Sequence, residues 1–539
     1  MTELSGAESL VTTLAASGVD TCFANPGTSE MHFVAALDRI PGVRCVLALF
    51  EGVATGAADG HWRMTGQAAA TLLHLGPGLG NGWANLHNAR KARSGVLNIV
   101  GDHATGHQPY ESPLKSDLAG IAGSISHWVR SSQTAAEVGA DGAAAVQATR
   151  DGAVGRIATL VLPADTAWGA GGRSAQAARP AAPLAAASAA VDAAARTLKT
   201  LGANAVLLLG AAGSQDERSQ QQAGAIAAKT GCRVLAEFYN ARMPGGQGRP
   251  VIRRLPYAVD ATLAVLAGTQ ALVLAGSVEP ISFFAYPGKP SQLKPAGAAL
   301  LTLAEPQQDV PAALQALADA LGVQVERDLR LATAAPPALP TGALTAESVA
   351  AALAATLPAQ AIVVDEAVTT GRAFGPLMAA AAPHDWLQGM GGAIGYGLPC
   401  AVGAAIGAPG RPVLALLGDG SAMYTLQALW TAARESLPIV VVVFANRAYR
   451  ILQGELLGVG ATISGQKAID MLTLDRPFLD WVALAQGHCV AGVQVDEAGA
   501  LVKALQRLDQ RARVVDLHPR HAMALCQPKI DVVLTTRNE

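Results

Sequence analysis

The chain has little of most residues that would announce a specialised class of protein. Only 6 of its 539 residues are cysteine, and Cys22, Cys45, Cys232, Cys400, Cys489 and Cys526 stand apart with no CxxC pair. That scatter argues against a disulfide framework or a cysteine zinc site and reads as free thiols in a reducing compartment. Aromatic residues make up 4% and charged residues 15%, with a net charge of −2. A balance of that kind offers no basic surface to nucleic acid or to an anionic membrane. The longest apolar runs, such as Val440 to Ala445, are strand-sized and too short to cross a bilayer. Met1-Thr2-Glu3-Leu4-Ser5 has no basic region leading into an apolar stretch. No signal peptide is therefore expected, and a cytoplasmic protein is.

Small and apolar residues are abundant instead, with 51% hydrophobic residues and 57 glycines. A chain of this length exceeds one ordinary core and implies about three domains. Its low surface charge also leans towards self-association.

Three blocks follow from the alternation of strand-like runs, turns and helical patterns. In residues 1–170 the runs are Thr21 to Ala24, Val46 to Leu49, Ala69 to Leu73 and Val96 to Val100. Turns such as Asn25-Pro26-Gly27 and Leu75-Gly76-Pro77-Gly78 follow them, the rhythm of a parallel α/β sheet. Gly169 to Ala187, rich in Gly, Ala, Pro and Ser, reads as a linker. The second block, 188–330, carries Ala205 to Gly210 and Ala271 to Gly276. Ala332 to Pro340 reads as a second linker into a third block, 344–539, with strands at Ala361 to Val364, Val413 to Leu417, Ile439 to Phe444 and Arg513 to Leu517. Right-handed crossovers would make each block a doubly wound α/β domain with a parallel sheet.

The richest chemistry lies in the third block. Gly418-Asp419-Gly420-Ser421 ends one strand, Tyr424 to Glu435 reads as a helix, and Asn446 ends the next strand, 27 positions after Asp419 (446 − 419). A carboxylate and an amide oxygen are the ligands Mg2+ prefers, and the flanking glycines let a phosphate approach backbone N–H groups. Taken alone, Gly-Asp-Gly is equally a tight turn and Asn446 a strand terminator. Both strand ends nevertheless fall at the carboxyl edge of a parallel sheet, where ligands bind.

The start Gly418-Asp419-Gly420, the spacing to Asn446 and the apolar strand before it resemble the motif of thiamine diphosphate (ThDP) enzymes. The order of blocks resembles the pyrimidine, middle and diphosphate domains of the benzoylformate decarboxylase and acetolactate synthase group, over essentially the full chain. The resemblance implies that Asp419, Asn446 and the backbone carbonyl of Ala448 hold Mg2+. It implies that Gly420, Ser421, Thr369 and Thr370 serve the diphosphate; the threonine pair is as readily a helix N-cap. It makes Ile394, in Gly391 to Pro399, the apolar prop under the bent cofactor, with the Gly392 carbonyl beside the pyrimidine amine. It makes Glu51, in Leu49-Phe50-Glu51-Gly52, the glutamate that exchanges a proton with the pyrimidine. By itself Glu51 is an ordinary first-turn acid matched to the helix macrodipole, and buried beside a ring its carboxyl would have a raised pKa.

For substrate, Asn25 to Glu30 resembles the loop that carries the substrate-facing serine of benzoylformate decarboxylase, with Thr28 at that position. His74 matches a histidine of the same enzyme and could donate a proton or orient a carboxylate near neutrality. One departure is clear. Where that enzyme has a second histidine, Glu279 to Gly288 offers Phe283 and Phe284, which suggests an apolar wall for an aromatic or branched substrate. Ile451 would narrow the same pocket.

The expectation is thus a ThDP- and Mg2+-dependent 2-oxo acid decarboxylase that releases an aldehyde and CO2. A carboligase resembling acetolactate synthase is the alternative, and a non-catalytic homologue that keeps the fold is a third reading. FAD is not expected, since Leu209-Gly210-Ala211-Ala212-Gly213 is a poor match to GxGxxG. The resemblance further implies a homodimer or homotetramer in which Glu51 of one chain meets Asp419 of another.

Overall fold

The computed structural model describes residues 3–331, 335–461, 465–506 and 512–517. Three of the linker residues expected above (Ala332, Thr333 and Ala334), Met1, Thr2 and Cys526 lie outside the described residues. Three large sheets organise the chain. The first is built from β1 (Thr21–Ala24), β2 (Arg44–Leu47), β3 (Ala69–Leu73), β4 (Val96–Asp102), β5 (Trp128–Ser131) and β6 (Ile157–Pro163) in the order β2-β1-β3-β4-β6-β5. The second contains β7 (Ala205–Leu209), β8 (Arg233–Ala236), β10 (Arg253–Arg254), β11 (Ala271–Ala275) and β12 (Ala299–Ala304) in the order β10-β8-β7-β11-β12. Both are parallel throughout. The alternation of short apolar strands with helices is what makes these sheets parallel and covers them on both faces.

The third sheet departs from the expected one-block unit. Its strands β13 (Ala361–Glu366), β14 (His384–Gln388), β15 (Val413–Gly418), β16 (Ile439–Phe444), β17 (Ala491–Val495) and β18 (Arg513–Leu517) are parallel. A seventh, β9 (Met243–Gly245), comes from the middle block and pairs antiparallel with β14 at the edge, Pro244 facing Asp385. Met-Pro-Gly carries no strand propensity; the edge position alone tolerates its proline. The expected linker is also partly structured, because Ala170–Gly172 pairs antiparallel with Leu4–Ser5. The expected helix from Tyr424 to Glu435 is confined to Ala428–Arg434, preceded by a short turn of helix at Asp419–Ala422.

The first and third units share one hydrophobic core. Its seam is the crossing of α1 (Glu51–Thr65) with α3 (Gly397–Gly407), the two flanking α2 (Leu75–Ala92) in chain order. Glycines on both helices permit the approach: a Cβ on Gly60 would collide with Cys400 O, and one on Gly403 with Ala57 O. Gly56 faces Pro399, and Gly407 faces His61 and Thr65, so the helices run side by side with their first turns at the same end. That parallel course brings Glu51 towards the loop that precedes α3. Among the described residues no helix is long and apolar enough to cross a membrane.

Gly403→Ala should therefore cost about 1–3 kcal/mol of stability through overpacking against backbone that cannot yield. Gly80→Ala in α2, where an added Cβ meets nothing within 4 Å, should be neutral or gain up to about 1 kcal/mol of helix propensity. Denaturant midpoints of the two variants check the contrast.

Candidate active site

The candidate residues gather at the carboxyl edges of the first and third sheets. Glu51 opens α1 with its carboxyl in the first turn, favoured there by the helix macrodipole, and is only 8% exposed. Asn81 Nδ2 donates to its Oε2 at 3.0 Å. His74 follows β3 and precedes α2, so it sits two strands along the same sheet edge, with β1 between. The two side chains flank Gly78: a Cβ there would lie 2.9 Å from Glu51 Oε1 and 3.4 Å from His74 Cβ.

The histidine is not isolated. Its Nδ1 lies 2.9 Å from Glu30 Oε2 and 3.3 Å from Ser29 Oγ. Glu30 is buried, 1% exposed, and also accepts from Gly27 N at 2.7 Å and from Ser29 Oγ. A carboxylate on Nδ1 fixes the ring and leaves Nε2 as the working nitrogen. Glycine is obligatory at Gly27 and Gly101, where a Cβ would strike the His74 ring and the Glu30 carboxyl. Thr28 opens the short helical turn Thr28–Glu30 and is exposed. The structure thus brings Ser29 and Glu30, and not Thr28, to the His74 ring. The sequence signal for Glu30 was its place in the Asn25 to Glu30 turn, read only for its hydroxyl.

In the third sheet, Asp419 is 4% exposed at the end of β15. Its Oδ1 accepts from Gly420 N at 2.9 Å and its Oδ2 from Arg447 N at 2.7 Å. Asn446 Oδ1 accepts from Ala448 N at 3.0 Å. The chain there is paired through Tyr449 N to Leu472 O and Leu474 N to Arg447 O, which leaves the Ala448 carbonyl outside that pairing. Gly420 admits no side chain, for a Cβ would lie 2.5 Å from Tyr449 Cε1. Among the described residues no cluster of three His, Cys, Asp or Glu is placed to hold a metal; the expected set has one carboxylate, one amide and one carbonyl, all hard oxygens that suit Mg2+. Asp516, at the end of β18, adds a buried carboxyl with no hydrogen bond on either oxygen. Burial, Asp480 and Asp419 push it up to about 9, while Arg447 pulls it down. Sequence reading passed over it as an interior strand residue. This excess of unsatisfied carboxyl oxygen beside Asp419 and Asn446 fits a cation at that edge.

The cofactor-folding loop also fits its expected task. Ile394 is half-buried, unlike its buried neighbours Tyr396 and Leu398, and so offers an apolar face to open space. The Gly395, Tyr396 and Gly397 N–H groups donate to Glu366 at 2.6, 3.1 and 3.0 Å. Burial pushes the Glu366 carboxyl up to about 7 against the pull of those donors. Gly392 has φ +74° and lies beneath Phe283, whose Cζ would be 2.6 Å from an added Cβ. Asn85 Nδ2 donates to both Gly52 O and Gly395 O, which fastens this loop to the helix of Glu51. Thr369 precedes a short helical turn without capping it, and Thr370 is buried beside it. Their hydroxyls are therefore not spent on an N-cap. Ser421 is buried in the turn after Asp419.

Phe283 packs edge-on against Phe284 and Tyr239 and at a tilt against Tyr257. Ile451 is half-buried in α5 (Arg450–Gly458), which follows the four-residue α4 (Asp419–Ala422) among the labelled helices. Tyr257 and Tyr286 donate to Glu455 of α5 at 3.0 and 2.8 Å and fasten that helix to the middle domain.

Comparisons with known proteins identify the family. Residues 4–159 match the family described as thiamine pyrophosphate enzyme, N-terminal TPP binding domain, and residues 369–517 match its C-terminal TPP binding domain. The chain is 49% identical to a Mycobacterium tuberculosis protein provisionally named acetolactate synthase large subunit IlvX, over 93% of this chain and 96% of that one. It is 29% identical to benzoylformate decarboxylase of Pseudomonas aeruginosa, over 90% and 94% respectively. The solved structure of the ThDP-dependent 4-hydroxybenzoylformate decarboxylase of Rhodococcus jostii RHA1 superposes with a TM-score of 0.81 at 26% identity, over 95% of this chain and 98% of that chain.

The raised carboxyl of Glu366 has a consequence for stability. A carboxyl with an ordinary value of 4.5 and a folded value of about 7 is neutral in both states at low pH and ionises first in the unfolded chain. Stability is therefore lost as pH rises from about 4.5 through about 7. Glu366→Gln stays neutral, so the difference in thermal midpoint between variant and wild type should shift in the variant's favour across that window. A constant difference would show that Glu366 titrates normally.

Proposed function

Because the chain belongs to the thiamine pyrophosphate enzymes, we propose that it is a ThDP- and Mg2+-dependent decarboxylase acting on a 2-oxo acid in the cytoplasm. The observation that carries this reading is the convergence of Glu51 and of the Glu30-anchored His74 on Gly78. It places a proton-exchanging carboxyl and an oriented imidazole beyond the ends of β2 and β3, the two strands that flank β1. Asp419, Asn446 and the Ala448 carbonyl would hold the metal, with Gly420, Ser421, Thr369 and Thr370 near the diphosphate and Ile394 and the Gly392 carbonyl near the pyrimidine. When bound, ThDP supplies the nucleophilic carbon and the electron sink that the chemistry needs.

The protein supplies position and protons. Glu51 would hold a proton at Oε1 or Oε2 for exchange with a bound cofactor's ring, the Asn81 amide steadying the oxygen that it contacts. His74 Nε2 delivers a proton to the substrate or orients its carboxylate, with Glu30 countering the charge on the imidazolium. Phe283 and Phe284 exclude water from the middle-domain side, and Ile451 narrows the space from α5. The rings would favour a substrate with an aromatic or branched body. A ligase outcome resembling acetolactate synthase is the second reading. It is favoured by Phe283 and Phe284 standing where the related decarboxylase has a histidine, since fewer proton donors prolong the life of the reacting carbon.

Glu51→Gln should lower kcat/KM on any accepted 2-oxo acid by roughly 100-fold or more. CO2 release from a panel of aromatic and aliphatic 2-oxo acids, with products identified by mass spectrometry, checks both readings: aldehydes support the decarboxylase, and 2-hydroxy ketones or acetohydroxy acids the ligase. Full activity of Glu51→Gln would overturn both.

We propose also that the active species is a dimer or tetramer. The apolar side chains of Met31, Leu49, Met423, Tyr424, Leu452 and Phe478 are all exposed at the surface of the single chain, an arrangement that self-association would bury. Sedimentation of the ThDP-loaded protein should give at least twice the mass of one chain.

A further inference from the structure

A cleft between the middle domain and the third sheet shares no residue with the edges described above. It holds about 650 Å3 of atom-free space, much of it open to solvent. Its walls are mostly apolar, from Met243 on β9, Met378, and Trp386 on β14. Arg254 at the end of β10 is its cation.

The arginine is short of acceptors. Among the described residues no ion pair or hydrogen bond engages its guanidinium, and burial lowers its pKa from the ordinary value. Asp365 is the carboxylate whose field it feels. Asp365, however, already accepts from Ala367 N and from Trp386 Nε1, both at 3.1 Å, and stays outside ion-pair distance of Arg254. A half-buried cation with five donors and no protein acceptor among the described residues is left for an anion or water to complete. Gln388 lines the same cleft, and its Oε1 accepts from Asn240 N. Its amide nitrogen is thus a second donor. His384 adds no second charge, since burial pulls its pKa down and its Nδ1 is engaged by Ala382 O at 2.8 Å. One fixed cation, one neutral donor and apolar walls select a single carboxylate on a compact apolar body over a multiply charged phosphate.

We propose that this cleft binds an organic monocarboxylate, its carboxylate on Arg254 and Gln388 and its body against Met243, Met378 and Trp386. The site is separate from the reacting centre, so it does not depend on which 2-oxo acid is turned over.

Phenylacetate is a suitable probe, because it has no 2-oxo group and cannot react. Titrated into the full chain with ThDP and Mg2+ present, it should bind saturably by calorimetry and quench tryptophan fluorescence, with the quench lost in Trp386→Phe. Glu51→Gln should bind as the wild type does. Arg254→Met should weaken binding at least tenfold. Val251→Trp, which fills the exposed rim and leaves Arg254 in place, should weaken it likewise and decides the matter if Arg254→Met does not fold. Unchanged affinity in Arg254→Met or Val251→Trp would overturn the proposal. So would equal displacement by inorganic phosphate, a quench that survives Trp386→Phe, or loss of binding in Phe283→Ala.

Discussion

Everything in the site depends on the ion pair of Arg63 with Asp59. Both side chains are 1% exposed, and the guanidinium meets the carboxylate through two contacts of 2.8 and 2.6 Å. The remaining nitrogen donates to Gln388 O at 2.6 Å and to Ala241 O at 3.2 Å, and Ser94 Oγ donates to Asp59. One side chain of the first domain thereby touches the middle chain segment and the third sheet together. A buried pair of this kind is stable only because its hydrogen bonds are complete; with one partner missing, the other charge would be stranded at a cost of about 3–5 kcal/mol. Arg63 sits in the last turn of α1 and Glu51 in the first. The three-way contact at one end of the helix, with the glycine-lined crossing of α3 along its length, fixes where Glu51 points at the other end.

Strain collects at the same edges. Leu75 after His74 has φ +49°, Val368 before Thr369 has φ +35°, and Arg447 after Asn446 has φ +52°. None is glycine, and Val368 is β-branched, so each conformation costs on the order of 1–3 kcal/mol and persists because its surroundings overdetermine it. Every one of these residues adjoins a side chain assigned to the site. The backbone has been bent there to aim those side chains, while glycine takes the positions where space itself is short, as at Gly78 and Gly420.

How far this was legible in the sequence follows from the range of the interactions. A strand such as Ile439–Phe444 is a continuous apolar run, and its bounds are evident because local composition decides them. The Asp419 to Asn446 spacing survived for a related reason: one crossover of fixed length separates two adjacent strand ends. The partner of His74 did not emerge, because Glu30 lies 44 positions away and meets it only once β1 and β3 pair. Glu366 carried no signal of its own in the sequence. Its function is set by three N–H groups some 30 positions on, which no periodicity announces. The edge strand Met243–Gly245 was missed since its pairing is dictated by a sheet in another block. Tyr424 to Glu435 was read as a single helix, yet the chain after Asp419 must first turn tightly to keep Gly420 under Tyr449.

A chain with so few charges nevertheless buries Glu30, Glu51, Glu366, Asp419 and Asp516 at these two edges, each at most 8% exposed. Desolvation penalises all of them, and what differs is how far each is repaid. Glu366 receives three backbone N–H groups, and Glu30 a backbone N–H, a hydroxyl and an imidazole; these are the carboxyls that hold other parts in place. Asp419 accepts from a backbone N–H on each oxygen. Glu51 has a single amide contact, and Asp516 has none. The order of satisfaction therefore separates positioning from reacting groups. Carboxyls that the fold has fully occupied can only orient, whereas those it leaves partly bare at a sheet edge are the ones a cation or a cofactor ring can complete. By that criterion Glu51 is a working group, Glu30 and Glu366 are supports, and Asp516, kept neutral by burial, is a carboxyl that an arriving cation would ionise.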